Sequence, residues 1–273
     1  MSKIDKATRD VLIETAHAVA EAARGITLPF FRSRDLATEN KRPADFDPVT
    51  LADQQAEQAM RAVIDERRPA DGILGEEFGA KPGTSGFTWV LDPIDGTRGF
   101  ISGTPTWGTL VSVRDATGPL FGIIDQPYIG EQFCGGLGLS HLIRNASVAP
   151  MGVNPAATLS DAILFTTFPE VGTPADGAAF RALSQKVKLT RYGMDCYAYA
   201  LLAAGHVDLV VEAGLNAYDI QAPIAVIQAA GGIVTNWEGR PAHDGGRVIA
   251  ASNAPLHAQA MHILQGSLNS GPA

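Results

Sequence analysis

Two carboxylates flank a proline in segment 89–97, which reads Trp-Val-Leu-Asp-Pro-Ile-Asp-Gly-Thr. The apolar residues before Asp92 predict a buried strand that stops at this carboxylate, and a helix is predicted to start at Gly96. Pro93 has a fixed φ and no N–H, so we expect a stiff turn to Asp95. Carboxylates suit Mg²⁺, and N–H groups at a helix start suit a phosphate. The segment therefore indicates phosphoryl chemistry, although Asp, Pro and Gly are also ordinary turn residues.

Four more acidic residues stand where a site could use them. Asp53 and Asp219 each open a predicted helix, Glu76 follows a strand-like pair, and Glu212 ends an apolar strand. Each has a structural alternative. Aspartates at helix starts often serve as N-terminal charges, and Glu76 with Glu77 could be a solvated pair.

Apolar periodicity predicts the elements that must position these residues. Short strands separated by Gly and Pro predict an antiparallel meander before residue 150. Alternating strands and helices predict a layered α/β arrangement after it. The predicted helices are 5–32, 50–66, 178–186, 196–204 and 218–230. The predicted strands are 73–74, 87–91, 109–114, 120–125, 131–135, 163–167, 188–192, 207–212 and 232–235.

Composition excludes several classes of function. The chain of 273 residues has 21 Lys+Arg and 29 Asp+Glu, a net charge of −8 without a basic block, so nucleic acids and acidic membranes are poor partners. Cys134 and Cys196 give no disulfide framework. The absence of a signal peptide or of about 18 consecutive apolar residues predicts a cytoplasmic protein. The six histidines form no His-x-x-x-His pair, which disfavours a zinc hydrolase.

The acidic positions, in this order and context, resemble those of the inositol monophosphatase-like phosphatases. This Mg²⁺-dependent, lithium-sensitive superfamily includes fructose-1,6-bisphosphatase. The resemblance implies an α/β fold, an α+β N-terminal half and an α/β C-terminal half in a layered αβαβα sandwich. It also implies a homodimer that acts on a small phosphate monoester. The matching stretches are 47–53, 75–77, 89–97 and 218–220, with Gly231-Gly232 after them.

The resemblance also assigns metal ligands. Glu76, Asp92 and the backbone carbonyl of Ile94 would hold one Mg²⁺, and Asp92, Asp95 and Asp219 a second. A third, weaker ion would lie near Glu76. Residues 1–150 would then form an α+β domain carrying most metal ligands, and residues 151–273 an α/β domain carrying Asp219 and the residues that select the substrate.

The catalytic roles follow from the same resemblance. Asp95, Gly96 and Thr97 would bind the phosphate. Asp53 and Thr97, together with Glu76, would activate the attacking water, and no covalent phospho-enzyme is needed. Because all of these residues are present, a non-enzymatic interaction module is disfavoured.

The segment 191–209 bears on the substrate. Asp195 replaces a small residue of the inositol enzymes, and the run Asp-Cys-Tyr-Ala-Tyr resembles the inositol-monophosphatase-type histidinol-phosphate phosphatases. A carboxylate would favour the ammonium and imidazole of histidinol phosphate, with Asp195 and Glu212 as the candidate residues. Asp195 could equally cap the following helix. We therefore expect L-histidinol phosphate hydrolysis in histidine biosynthesis, with an inositol-1-phosphate or broad sugar phosphatase as the alternative.

Overall fold

The computed structural model describes residues 4–33, 38–40 and 48–270; Asp47, at the start of the first matching stretch, lies outside them. The helices are α1 (Lys6–Phe30), α2 (Leu51–Arg67), α3 (Thr97–Ser102), α4 (Pro174–Ser184), α5 (Cys196–Ala203), α6 (Ala217–Ala229) and α7 (Ala254–Ser270). The strands are β1 (Thr38–Asn40), β2 (Pro48–Thr50), β3 (Gly72–Gly75), β4 (Gly79–Lys81), β5 (Thr88–Asp95), β6 (Gly108–Asp115), β7 (Gly118–Gln126), β8 (Glu131–Gly136), β9 (Leu139–Arg144), β10 (Ser147–Pro150), β11 (Ile163–Thr166), β12 (Leu189–Tyr192), β13 (Leu209–Leu215), β14 (Ile233–Asn236) and β15 (Gly246–Ala251).

The larger sheet has eight strands in the order β10-β9-β8-β7-β6-β5-β3-β4. Its pairs are antiparallel except for β3 and β5, which run parallel. Because parallel neighbours end at the same edge of a sheet, Glu76 after β3 and Asp92 near the end of β5 are brought together. The predicted meander is thus present as β6 to β10.

The smaller sheet has five strands in the order β12-β11-β13-β15-β14. The strand β11 pairs in parallel with β12 and β13, whereas β15 runs antiparallel to both of its neighbours. Its central strand β13 carries Glu212, four residues before Asn216, which is the N-cap residue of α6.

Helices and sheets alternate in five layers, which confirms the predicted αβαβα sandwich. One apolar cluster joins α1 and α2 to the larger sheet. A second joins both sheets through α5 and α6 between them, and a third joins α4 and α7 to the outer face of the smaller sheet. The middle helices are buried on all sides, consistent with their Ala-rich and Ile-rich sequences. None of the described helices has the length and apolar character to cross a membrane.

The expectation that the strand stops at Asp92 was wrong. The strand β5 continues to Asp95, and its pairing with β6 shifts between Asp92, opposite Leu110, and Asp95, opposite Gly108. One extra residue on β5 makes a bulge, a place where a proline is tolerated because its missing N–H breaks no ladder bond. The Pro93 carbonyl accepts a hydrogen bond from Thr109 Oγ1 at 2.8 Å, which holds the bulge against β6.

Several elements were not predicted from the sequence. The strands β4, β9 and β10 are half-exposed or exposed, so no alternation of buried and exposed residues marked them. The strand β15 and the helix α7 also escaped prediction, although Leu256, Ala260 and Leu264 are buried at helical spacing. The division of the chain into two domains at residue 150 stays a prediction. The middle layer of helices packs against both sheets in one apolar cluster.

Candidate active site

Three carboxylates converge where β5 ends and α6 begins. Ligand oxygens of Asp92, Asp95 and Asp219 lie within 4.8 Å of one another. Glu76, in the turn after β3, is close enough to Asp92 to share a hydrogen bond with it. The four carboxylates predicted as metal ligands therefore lie close together, although they are spread over positions 76 to 219 of the sequence.

The bulge of β5 shapes the backbone between Asp92 and Thr97. The N–H of Ile94 donates to Asp92 Oδ1 at 3.1 Å, which fixes this side chain in place. The Ile94 carbonyl accepts from Thr97 Oγ1 at 3.0 Å. Gly96, with φ 83°, occupies the position before α3 that requires a left-handed backbone. Asp92, Ile94 and Thr97 are thus linked to one another by hydrogen bonds through the bulge.

Asp53 and Asp219 each close a capping box at the start of a helix. Asp53 Oδ2 accepts from the N–H of Thr50 at 2.8 Å, and Asp219 Oδ2 accepts from the N–H of Asn216 at 2.6 Å. Both residues therefore cap their helices, which is the structural role considered above as the alternative. Asp53 caps its helix and also lies near the site, because its Oδ1 is 3.4 Å from Thr97 Oγ1.

Asp95 makes a contact that no local pattern predicted. Its Oδ2 accepts the backbone N–H of Cys196 at 2.6 Å, so Asp95 caps α5 from 101 residues away. The positive end of a helix stabilises a carboxylate by about 0.3–1 kcal/mol. Cys196 itself is buried, as expected of a packing residue.

Glu57 is a further residue that sequence analysis missed. It is fully buried on α2 and accepts from Glu77 N at 2.7 Å, Phe78 N at 3.2 Å and Arg61 Nε at 2.8 Å. These bonds fix the turn that carries Glu76. A signal was available: Glu57 follows Asp53 and precedes Arg61 by one helical turn on the buried side of α2.

Asp195 stands at the N-cap position of α5, but its side chain makes no capping hydrogen bond. Instead it packs against the turn that precedes α3, where a Cβ on Gly96 would lie 2.8 Å from Asp195 Cγ. Burial and the charge of Glu212 raise the pKa of Asp195 to about 7, while Arg98 and a hydrogen bond with Thr106 oppose that rise.

Glu212 is held by two neighbours. Its Oε1 accepts from Thr167 N at 3.0 Å and Thr167 Oγ1 at 2.5 Å, and its Oε2 accepts from Tyr199 Oη at 2.8 Å. The side chain is therefore rigid, and burial raises its pKa. It lies within the strand β13 and not at its end. Neither Thr167 nor Tyr199 was singled out from the sequence.

Several of these groups line one cavity of about 1040 Å³, whereas Asp53, Glu57 and Asp92 are not part of its lining. The lining residues include Glu76, Asp95, Thr97, Asp195, Tyr199, Glu212 and Asp219. Arg98 lies at the rim with its guanidinium carbon 4.8 Å from the Phe168 ring centroid. The arrangement suits a small molecule that contacts the carboxylate cluster together with Asp195 and Glu212.

A model described as the inositol monophosphatase family matches residues 8–268. The chain belongs to the inositol monophosphatase family. It is 36% identical to the bifunctional phosphatase IMPL2, chloroplastic, of Arabidopsis thaliana, over 97% of this chain and 78% of that protein. It is 34% identical to a histidinol-phosphatase of Streptomyces coelicolor, over 92% of this chain and 96% of that protein. The structure of an inositol monophosphatase from Zymomonas mobilis, 38% identical, superposes with a TM-score of 0.82 over 96% of this chain and all (100%) of that one.

The protein is thus a phosphatase of the inositol monophosphatase family, whose substrates are small phosphate monoesters. Members of this family are generally metal-dependent, and the acidic cluster fits that chemistry. Burial and the negative charges of Glu76, Asp95 and Asp219 raise the pKa of Asp92 well above its usual range. Burial is also the main cause that raises the pKa of Asp219 to about 7. Oxygen-only ligands with uncompensated negative charge are what a hard divalent cation requires.

Proposed function

We propose that this phosphatase hydrolyses L-histidinol phosphate to L-histidinol and phosphate, a step of histidine biosynthesis. The observation that carries the proposal is the Asp195 carboxylate on the cavity wall, with Glu212 nearby. Two acidic side chains in the cavity lining would favour a substrate with a cationic group over one with neutral hydroxyls. Histidinol carries an ammonium and an imidazole, whereas inositol carries hydroxyls alone.

We propose Mg²⁺ as the cofactor, in two or three sites. Glu76, Asp92 and the Ile94 carbonyl would hold one ion, Asp92, Asp95 and Asp219 a second, and the surroundings of Glu76 a weaker third. When bound, Mg²⁺ would neutralise the phosphate charge and favour ionisation of the attacking water. The carboxylates of the chain supply the oxygen ligands.

The residues of the chain itself would then bind and orient the reactants. The backbone N–H groups of Gly96 and Thr97 would receive phosphate oxygens, beside Asp95. The one proton of the Thr97 hydroxyl, donated to the Ile94 carbonyl at 3.0 Å, would turn to Asp53 Oδ1, at 3.4 Å, and the Thr97 oxygen could then accept a hydrogen bond from the attacking water. Asp53 and Thr97, with Glu76, thus orient the nucleophile. Asp53 is only 1% exposed, so bulk solvent has little access to its carboxylate.

The alternative substrate is an inositol monophosphate or a broad range of sugar phosphates. One observation favours it: both oxygens of Glu212 already accept bonds from Thr167 and Tyr199, which satisfies part of its charge internally. The relatives carry names of both kinds, so they do not separate the two substrates.

Phosphate release tests the proposal directly. L-Histidinol phosphate and myo-inositol 1-phosphate are compared side by side, with Mg²⁺ and with EDTA. We expect a strong preference for histidinol phosphate that EDTA abolishes. Equal or reversed rates would overturn the substrate and move the enzyme to the inositol or broad class.

The variant Asp195→Asn isolates the charge, because Asn preserves the shape of the side chain. We expect kcat/KM for histidinol phosphate to fall roughly ten- to a hundredfold, the loss of one charge-assisted bond of about 1.5–3 kcal/mol. The rate on inositol 1-phosphate should change little and serves as the control. Equal losses on both esters would contradict a role for Asp195 in recognising a cation.

A further inference from the structure

A second group of metal-binding side chains lies on the face of the larger sheet that packs against α1. Ligand atoms of His17, Cys134 and His141 lie within 4.8 Å of one another. The strand β8 is three strands from β5, about 14 Å across the sheet, and none of the three residues lines the acidic cavity. The group is therefore separate from the site described above.

Sheet register brings two of these residues together. Cys134 on β8 is directly opposite His141 on β9, and such partners project from the same face of a sheet. The helix α1 lies over this face, where Ala16 and Cys134 belong to one buried cluster. The neighbouring His17 contacts Phe121 with ring centroids 6.3 Å apart. Three separate elements thus contribute one ligand each.

A hydrogen-bond chain fixes the chemical state of His17. Arg24 Nη2 donates to Asp125 Oδ1 at 2.5 Å, and Gln132 Nε2 donates to the same oxygen at 3.2 Å. Because a carboxylate only accepts, the amide oxygen of Gln132 must face the other way. That oxygen lies 2.7 Å from His17 Nδ1 and 3.7 Å from Cys134 Sγ. Nδ1 therefore carries the proton, and the lone pair of the ring is on Nε2.

This arrangement is the one that metal-binding histidines use, with one ring nitrogen donating to a carbonyl oxygen and the other directed to the metal. We propose that His17, Cys134 and His141 bind a borderline-soft divalent cation, Zn²⁺, with a water as the fourth ligand. Thiolate and imidazole ligands select such a cation over Mg²⁺. Both histidines are only partly buried, so an ion can reach them.

The distances and the proton balance are compatible with this site. Zinc bonds of about 2.0–2.3 Å place tetrahedral ligands roughly 3.3–3.8 Å apart, so side-chain shifts of about 1 Å close the group. Binding forms an S–Zn bond in place of the Cys134 S–H bond, and the proton passes to the solvent. No oxidation or reduction takes place. The ion would connect α1 to β8 and β9.

Cobalt substitution tests the site independently of catalysis. The full-length protein is stripped of metal and saturated with Mg²⁺, which occupies oxygen-ligand sites, and Co²⁺ is then added. We expect a thiolate-to-cobalt charge-transfer band in the near ultraviolet at one equivalent, and competition by Zn²⁺ should remove it. Absence of the band, or its persistence in Cys134→Ser, would overturn the proposal.

Two further variants complete the test. Cys196→Ser removes the other cysteine and should keep the band, which makes it the matched control; loss of the band there with retention in Cys134→Ser would place the thiolate elsewhere. His141→Ala keeps the buried sulfur, so it serves if Cys134→Ser fails to fold. Zn²⁺ affinity by calorimetry should fall at least about tenfold in this variant, and an unchanged affinity would contradict the site.

Discussion

Asp195 occupies a backbone conformation that an aspartate rarely adopts, with φ 47° and ψ −140°. Such a conformation costs about 1–3 kcal/mol in a non-glycine residue and persists where the surrounding structure imposes it. Here Gly193 precedes it with φ 75°, and the side chain is buried beside Gly96. The strain places the carboxylate on the cavity wall, where a relaxed helix start would turn it toward its own N–H groups.

This strain predicts different stabilities for two substitutions that both remove the charge. Asp195→Gly should be more stable than Asp195→Ala by about 1 kcal/mol, because glycine adopts positive φ without a steric penalty. Chemical denaturation measures the difference. A more stable alanine variant would show that the backbone is unstrained at this position.

At the level of elements, the turn after β3 depends on the helix beneath it. Glu57 on α2 accepts the N–H groups of Glu77 and Phe78, and Gly75 leaves room for that carboxylate. A Cβ on Gly75 would lie 2.0 Å from Glu57 Oε1. Glu76, the predicted ligand, is thus placed by a residue that does not itself line the cavity.

Gly75→Ala should therefore displace Glu57 and leave two N–H groups without their partner. We expect a loss of about 1–3 kcal/mol in the free energy of unfolding and a higher Mg²⁺ concentration for half-maximal activity. Gly25→Ala is the matched control, since Gly25 lies in α1 with open space around it. That variant should gain about 0.5–1 kcal/mol. If the Mg²⁺ concentration for half-maximal activity is unchanged in Gly75→Ala, Glu57 does not position the predicted metal ligand Glu76.

For the whole molecule, the acidic cluster couples stability to pH and to metal. The pKa of Asp219 and of Asp195 is about 7 in the folded protein, against an ordinary value of 3.8. Between roughly pH 4 and pH 7 the metal-free folded state binds more protons than the unfolded state, so its stability falls as pH rises through this window.

We expect the metal-free protein to lose roughly 2–3 kcal/mol from each of these two groups between about pH 5 and pH 8. Mg²⁺ should restore the part that Asp219 contributes at the higher pH, because a bound cation stabilises the ionised carboxylate. Thermal unfolding with EDTA or Mg²⁺ measures both effects. Asp219→Asn is the control and should show a weaker pH dependence. A wild-type curve that parallels this variant would contradict the coupling.

The homodimer implied by the family resemblance is a prediction about the same molecule. Light scattering should give twice the chain mass of 28.7 kDa. A monomer at micromolar concentration would contradict it.

The sequence by itself identified the acidic residues, and its resemblance to a known family implied the five-layer fold. Each of Asp53, Glu76, Asp92, Asp95 and Asp219 lies at or near the boundary of an element, where caps, Pro and Gly act over a few residues. Such local signals are readable without coordinates. Asp195 could also be identified from the sequence, but the direction of its side chain could not. The sequence therefore did not decide whether Asp195 caps α5 or lines the cavity.

Tertiary structure alone decided which distant groups meet. The bulge in β5 depends on its pairing with β6, the capping of α5 by Asp95 spans 101 residues, and Glu57 reaches a turn 20 residues away. His17, Cys134 and His141 showed no metal-binding spacing in the sequence, because register between β8 and β9 and the packing of α1 bring them together. Sheet register and layer packing are set by the summed burial of many side chains, and no short segment carries that sum.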